Sequence, residues 1–219
     1  MKTIKVFIFT KRVRQSNHIF SFLFTDQFID NVFDQTNDKE MDLICNQVIS
    51  KVIEKLLTIA KPEICMKFAK IVKNEMRIIC TDPYGSHVLE TILHIFMDVI
   101  SSKDEKLEKD YVEFCHAWIC SVCQFAFNNV EDFICDIYAS HILRTSLQCV
   151  SGVDVGVLTM KSNRSRKHLD GKEEVKVTRD LKSLDPKHSA AFLTILKDFA
   201  DRFVGWPQLT GKLCIHQSI

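Results

Sequence analysis

Glycine and proline are scarce: the 219 residues hold six of the first and four of the second. Tight hairpins draw on both, so a fold of many short strands is excluded and helices should dominate. There is no excess of one charge either, since 29 Lys and Arg stand against 28 Asp and Glu, a net +1. The chain therefore has no global positive field to draw in polyanions, and nucleic-acid binding would need basic groups gathered locally. No apolar run approaches the roughly 20 residues that span a bilayer. The four apolar residues Val6 to Phe9 are too few for a signal-peptide core. A Gly-rich phosphate loop is also lacking. The nine cysteines are odd in number and scattered through apolar stretches. That pattern fits reduced, buried thiols of an intracellular protein better than a disulfide framework.

What the chain does have is self-similarity. SKVIEKLL (Ser50 to Leu57) and SHVLETIL (Ser86 to Leu93) share Ser, Val, Glu and Leu at an offset of 86 − 50 = 36 residues. SHILRTSL (Ser140 to Leu147) repeats the pattern at 140 − 86 = 54, one period plus 18. The second match extends upstream, where DPYGSH and DIYASH share four of six positions. SSKDEKLEKD (Ser101 to Asp110) is polar, and the extra length is expected there as a surface insertion. Asp82 suits an N-cap and Pro83 the first helical position. Val88, Leu89, Ile92, Leu93 and Phe96 recur at helical spacing as a buried side. Rotation around that helix leaves a polar strip of Ser86, His87, Glu90 and His94. Its counterparts are Ser50, Lys51 and Glu54 in the first unit and Ser140, His141 and Arg144 in the third. Pro62 opens a further amphipathic helix, and a short one follows around Met76 to Cys80. Three helices per repeat, stacked side by side, predict an all-α solenoid.

DPYGSHVLETIL, with the lead-in NEMRIICT, resembles the second helix of a Pumilio (Puf) repeat. FIDNVFDQTNDKEMDLICNQVISKVIEKLL, DPYGSHVLETIL and DIYASHILRTSLQCVSGVDV together are similar to a nucleolar Puf-like family, nucleolar protein nine, over Phe28 to Gly152. The resemblance implies a right-handed, ARM/HEAT-like α-solenoid of three-helix Pumilio-type repeats. It also implies a non-catalytic protein of the nucleus and nucleolus with no cofactor or metal, no membrane and no small-molecule substrate. Its expected partner is single-stranded RNA, precursor ribosomal RNA of the small subunit in particular, with pre-ribosomal proteins as a further class. Carried onto this chain, Ser86 and Glu90 would bond a base edge while His87 stacks. Ser140, His141 and Arg144 would act alike in the third unit. In the first, Ser50 and Glu54 would face a base and Lys51 a phosphate.

The departures are specific. Ile49 stands where Gly85 and Ala139 stand, which predicts an altered helix start in the first unit. Arg144 replaces the usual Gln or Glu, so the family's base code does not carry over there. Two other readings stay open: a cytoplasmic messenger-RNA regulator, and a helical scaffold for proteins that has lost RNA binding.

Cys115, His116, Cys120 and Cys123 contain one C-x-x-C, but they fall in an apparent helix without a second paired set, which reads as structural thiols. The expected organisation is an N-terminal segment 1–27, Pumilio-like repeats 28–150, a charged loop 151–188, and a helix of a further repeat with its tail 189–219. Within the repeats, reading helices are expected near 46–59, 82–100 and 136–150. The run around Arg164, Arg166 and Lys167 is either a phosphate-binding patch or a solvated loop. Neither end offers a polar capping repeat, so the array is expected to be incomplete.

Overall fold

The computed structural model describes residues 27–102, 107–152 and 184–204. The charged run 161–182, most of the 1–27 segment and the tail after 204 lie outside the described residues. Ten helices are described: α1 (27–34), α2 (Glu40–Ile44), α3 (Ile49–Leu57), α4 (Pro62–Asn74) and α5 (Met76–Thr81), then α6 (Gly85–Ser101), α7 (Lys109–Asn128), α8 (Val130–Phe133), α9 (Ala139–Ser151) and α10 (Pro186–Val204). Among the described residues there is no strand, and no helix is long and apolar enough to cross a membrane.

The helices form three parallel rows, each built from one helix per unit. The short helices make the first row. Arg77 of α5 donates to Asn129 at 2.9 Å, beside α8, and to Asp132 of α8 at 2.7 Å. The second row is α3, α6 and α9, packed in succession. The third is α1, α4, α7 and α10, held mainly by aromatic contacts. Phe33 meets Phe68 edge-on at 5.0 Å, and Phe127 meets Phe199 at 4.4 Å. Between them, the Trp118 indole N–H donates to the buried Ala69 carbonyl at 2.7 Å, tying α7 to α4. This is an α-solenoid, in which each unit covers the apolar sides of its neighbours.

The apolar periodicity of α6 is realised: Val88, Leu89, Ile92, Leu93 and Phe96 are all buried, joined by Met97 and Ile100. Full burial of side chains of this size stabilises by about 1.5–3 kcal/mol each, so the seam between units is mostly hydrophobic. Gly152 ends α9 at φ 67°, a left-handed conformation that suits glycine, and its N–H reaches the Gln148 carbonyl at 3.0 Å.

Two sequence expectations are corrected. Most of the extra length between the second and third units is helix rather than a polar insertion. α6 runs 17 residues against 9 in α3, and α7 runs 20 against 13 in α4. The polar run 101–110 is partly helical as well, with α7 starting at Lys109. Secondly, α10 packs on α9 and α7 as the outer helix of the third unit instead of opening a further one. Its Asp-Pro start and Ser189 imitate the second unit's motif, and only the packing shows which row it joins.

Candidate nucleic-acid interface

Each helix of the second row starts on the same device. Asp82 Oδ1 accepts from the backbone N–H groups of Tyr84 and Gly85 at 2.8 and 2.6 Å. Asp136 does the same for Tyr138 and Ala139 at 2.8 and 2.7 Å. In the first unit Asn46 accepts from Val48 and Ile49 at 3.0 and 3.1 Å. A side-chain oxygen thus satisfies two otherwise unpaired amides and fixes where the helix begins. Regular helix is reached only at Gly85, so Pro83 sits in the capping turn. A Cβ at Gly85 would approach Asp82 Oδ1 to 3.3 Å, a tight fit. Ala139 and Ile49 nevertheless occupy that place in the other units, so the altered start expected at Ile49 is not found. The cap persists there with longer bonds.

With identical starts, the strips fall in register. Glu54, His87 and Glu90 lie within electrostatic reach of one another across the α3–α6 seam. Burial raises the Glu54 carboxyl above its ordinary value and the Glu90 carboxylate adds to this, while His87 and Lys51 pull the other way. His87 Nδ1 stands 3.7 Å from Glu90 Oε2. Across the next seam, the Thr145 hydroxyl of α9 donates to Glu90 Oε1 at 2.7 Å. In the third unit the Arg144 guanidinium donates to His141 Nδ1 at 2.6 Å. Units two and three therefore share one histidine arrangement with opposite charge beside it. The face continues past Glu90 into a shallow groove lined by Thr58, Thr91, His94 and Asp98.

The serines that head the strips are less open than the sequence led one to expect. Ser50 is 1% exposed and Ser86 3%, with Ser140 half-buried. Each is a short side chain in the first turn of a helix flanked by neighbours. The accessible groups are Lys51, His87 and Arg144, with Glu54, Glu90 and His141 partly covered. Thr145 was not singled out from the sequence. It follows Arg144 in a register shared with Thr91, but a buried threonine acquires a partner only when α6 lies against it.

The chain matches the model of the NOP9-like PUF repeat domain over residues 38–205. The chain belongs to the NOP9-like PUF repeat family. Its rows of short, strip-bearing and outer helices are therefore PUF repeats. Solved structures with a similar fold include APUM23–GGAAUUGACGG, at 20% identity and a TM-score of 0.53, covering 80% of this chain and 31% of that one. APUM23–GGAUUUGACGG is similar at 24% identity and a TM-score of 0.51, covering 64% and 25%. This NOP9-like chain thus spans less than a third of those proteins. No curated protein sequence matches it.

The α7 thiols sit in the core of the PUF array. Cys115 and Cys123 are fully buried, and burial pushes the Cys115 thiol up to about 12 and Cys120 up to about 11. Protonated thiols of this kind are poor nucleophiles.

Proposed function

We propose that the α3–α6–α9 face binds single-stranded RNA, with the precursor ribosomal RNA of the small subunit as target class and the nucleolus as site of action. The observation that carries this reading is the shared register of three polar strips along adjacent packed helices, in a chain of the NOP9-like PUF repeat family. A single-stranded base offers its edge and its π-face at once, and each strip pairs an edge-bonding residue with one that stacks or meets phosphate. The oligonucleotides GGAUUUGACGG and GGAAUUGACGG of the APUM23 structures contain uracil, which supports RNA as the ligand class for this fold.

In this reading Glu90 selects guanine. A carboxylate accepts from the guanine N1–H and N2 amino groups together, while adenine offers no matching pair of donors. Arg144, a pure donor, faces a base acceptor or a phosphate. Binding energy comes from stacking and local contacts rather than a general field, as the net charge of +1 requires.

The deciding experiment is selection of bound RNAs from a random pool, followed by affinity measurement over a salt series. A recovered motif with guanine opposite Glu90 and a modest salt slope is the expected result. No enrichment above a non-binding control would leave the protein-scaffold reading in its place. Tagged chain concentrated in the cytoplasm rather than the nucleolus would favour the messenger-RNA reading.

A further inference from the structure

The third-row seam between α7 and α10 holds a cluster that RNA binding does not use. Glu113, His116 and Cys120 follow one another at i, i+3 and i+7 on α7, so they share one face. His188, in the first turn of α10, is laid against that face. The donor atoms of Glu113, His116 and His188 all lie within 4.8 Å of one another. His116 and His188 stack at 4.1 Å with their planes 23° apart, against Phe192. Ring packing accounts for their burial. It does not account for His188 Nε2, which is buried without a hydrogen-bond partner. Buried polar atoms in native proteins nearly always have one, and an exception points to a missing ligand or ion.

We propose that Glu113, His116 and His188 form a binding site for a zinc-class transition-metal ion that clips α10 to α7. The spacings support this. Two nitrogen or oxygen ligands of a tetrahedral zinc ion lie about 3.3 Å apart, given the usual bond lengths. Glu113 Oε1 stands 3.5 Å from His188 Nε2, too far for a good hydrogen bond. Two imidazoles and a carboxylate match a borderline ion such as zinc rather than magnesium or calcium, which prefer all-oxygen shells. Lys187 bonds the Glu113 oxygens at 3.2 and 3.3 Å from an exposed position, and an ion bound there would displace it.

The site has a structural use. His188 lies 188 − 116 = 72 positions beyond His116, and a clip that closes so long a loop constrains the unfolded chain strongly. It would fix the closing helix of the third unit without touching the α3–α6–α9 face, so it stands whether or not that face binds RNA.

The test uses the whole chain, stripped of metal and kept reduced, and titrated with Zn2+ and separately with Co2+ as a spectroscopic probe. One zinc per chain is expected, with a rise in melting temperature. Cobalt should give intense tetrahedral d–d bands. Glu113→Gln, at an exposed position where misfolding is not a concern, and His188→Gln should each weaken zinc binding by roughly tenfold or more with the helical signal unchanged, since even outer-shell losses cost that much. Failure to saturate at one ion per chain overturns the site. So does undiminished binding in Glu113→Gln and His188→Gln, or a thiolate-to-cobalt charge-transfer band, either of which would assign the ion to the chain's thiols.

Discussion

The Thr145 hydroxyl donates a 2.7 Å hydrogen bond to Oε1 of Glu90 across the seam between the second and third units. Thr145 is 1% exposed, so this donor is fixed by packing and holds the carboxylate in one orientation. Thr145→Val keeps the shape and removes the donor. Its expected effect is a partial loss of discrimination between guanine and adenine at one nucleotide, with affinity at other positions unchanged. Thr145→Ser should restore it. Competition binding with single-base variants of the selected RNA checks both.

Glu90→Gln tests the base reader itself. An amide supplies one acceptor and one donor where the carboxylate supplies two acceptors, so preference should shift away from guanine by about 1–3 kcal/mol, the scale of a good bidentate base contact. A four-base series at fixed salt reads this out. Unchanged preference with intact binding would show that the strip does not read the base.

His87 is the exposed partner in the same strip. Its ring stacks on a base face, which all four bases possess, so His87→Ala should weaken every sequence alike, by about 1–3 kcal/mol per stacked base. A base-dependent loss would instead give His87 an edge contact.

Glu40 gives the fold an acid limit that can be measured. Burial alone would raise its carboxyl, but the Lys67 ammonium at 2.8 Å and nearby backbone N–H groups outweigh this and hold it below the ordinary 4.5. As pH falls, the unfolded chain takes up the proton first. The stabilisation is therefore present above 4.5 and is lost as pH drops through the folded value. Lys67→Met removes the counter-charge and should move acid unfolding to higher pH. Urea midpoints followed across the acid range would show it, and Glu40→Gln should flatten the same slope.

Trp118 joins the second unit to the first by a single indole bond to the Ala69 carbonyl, inside the core. Trp118→Phe keeps much of the ring's burial and loses the bond. A destabilisation of about 1–3 kcal/mol is expected in chemical denaturation. A larger loss than this would mean that the edge contact with Phe96, at 5.1 Å, also fails.

Much of the architecture was legible because helical repeats announce themselves locally. The Ser-led octapeptides, the Asp82 and Asp136 caps and the apolar spacing around Leu89 all depend on residues within a few positions of one another. That is why the order of helices, the three strips and the family resemblance could be read without coordinates. The sequence also indicated inert thiols on α7, since cysteines beside Trp118 and Ile119 had nowhere to go but the core.

What only tertiary structure decided were the relations between residues far apart in the chain. The placement of α10 beside α7, the burial of Ser50 and Ser86, and the bond from Thr145 to Glu90 all arise from which helix faces which. So does the meeting of His188 with Glu113 and His116. The physical reason is the same throughout. Periodicity along a helix fixes which residues share a face, but the rotation and row of a neighbouring helix are set by close packing of both surfaces. One chain segment does not contain that information, and it is this packing that sets Glu90 against Thr145 and His188 against His116.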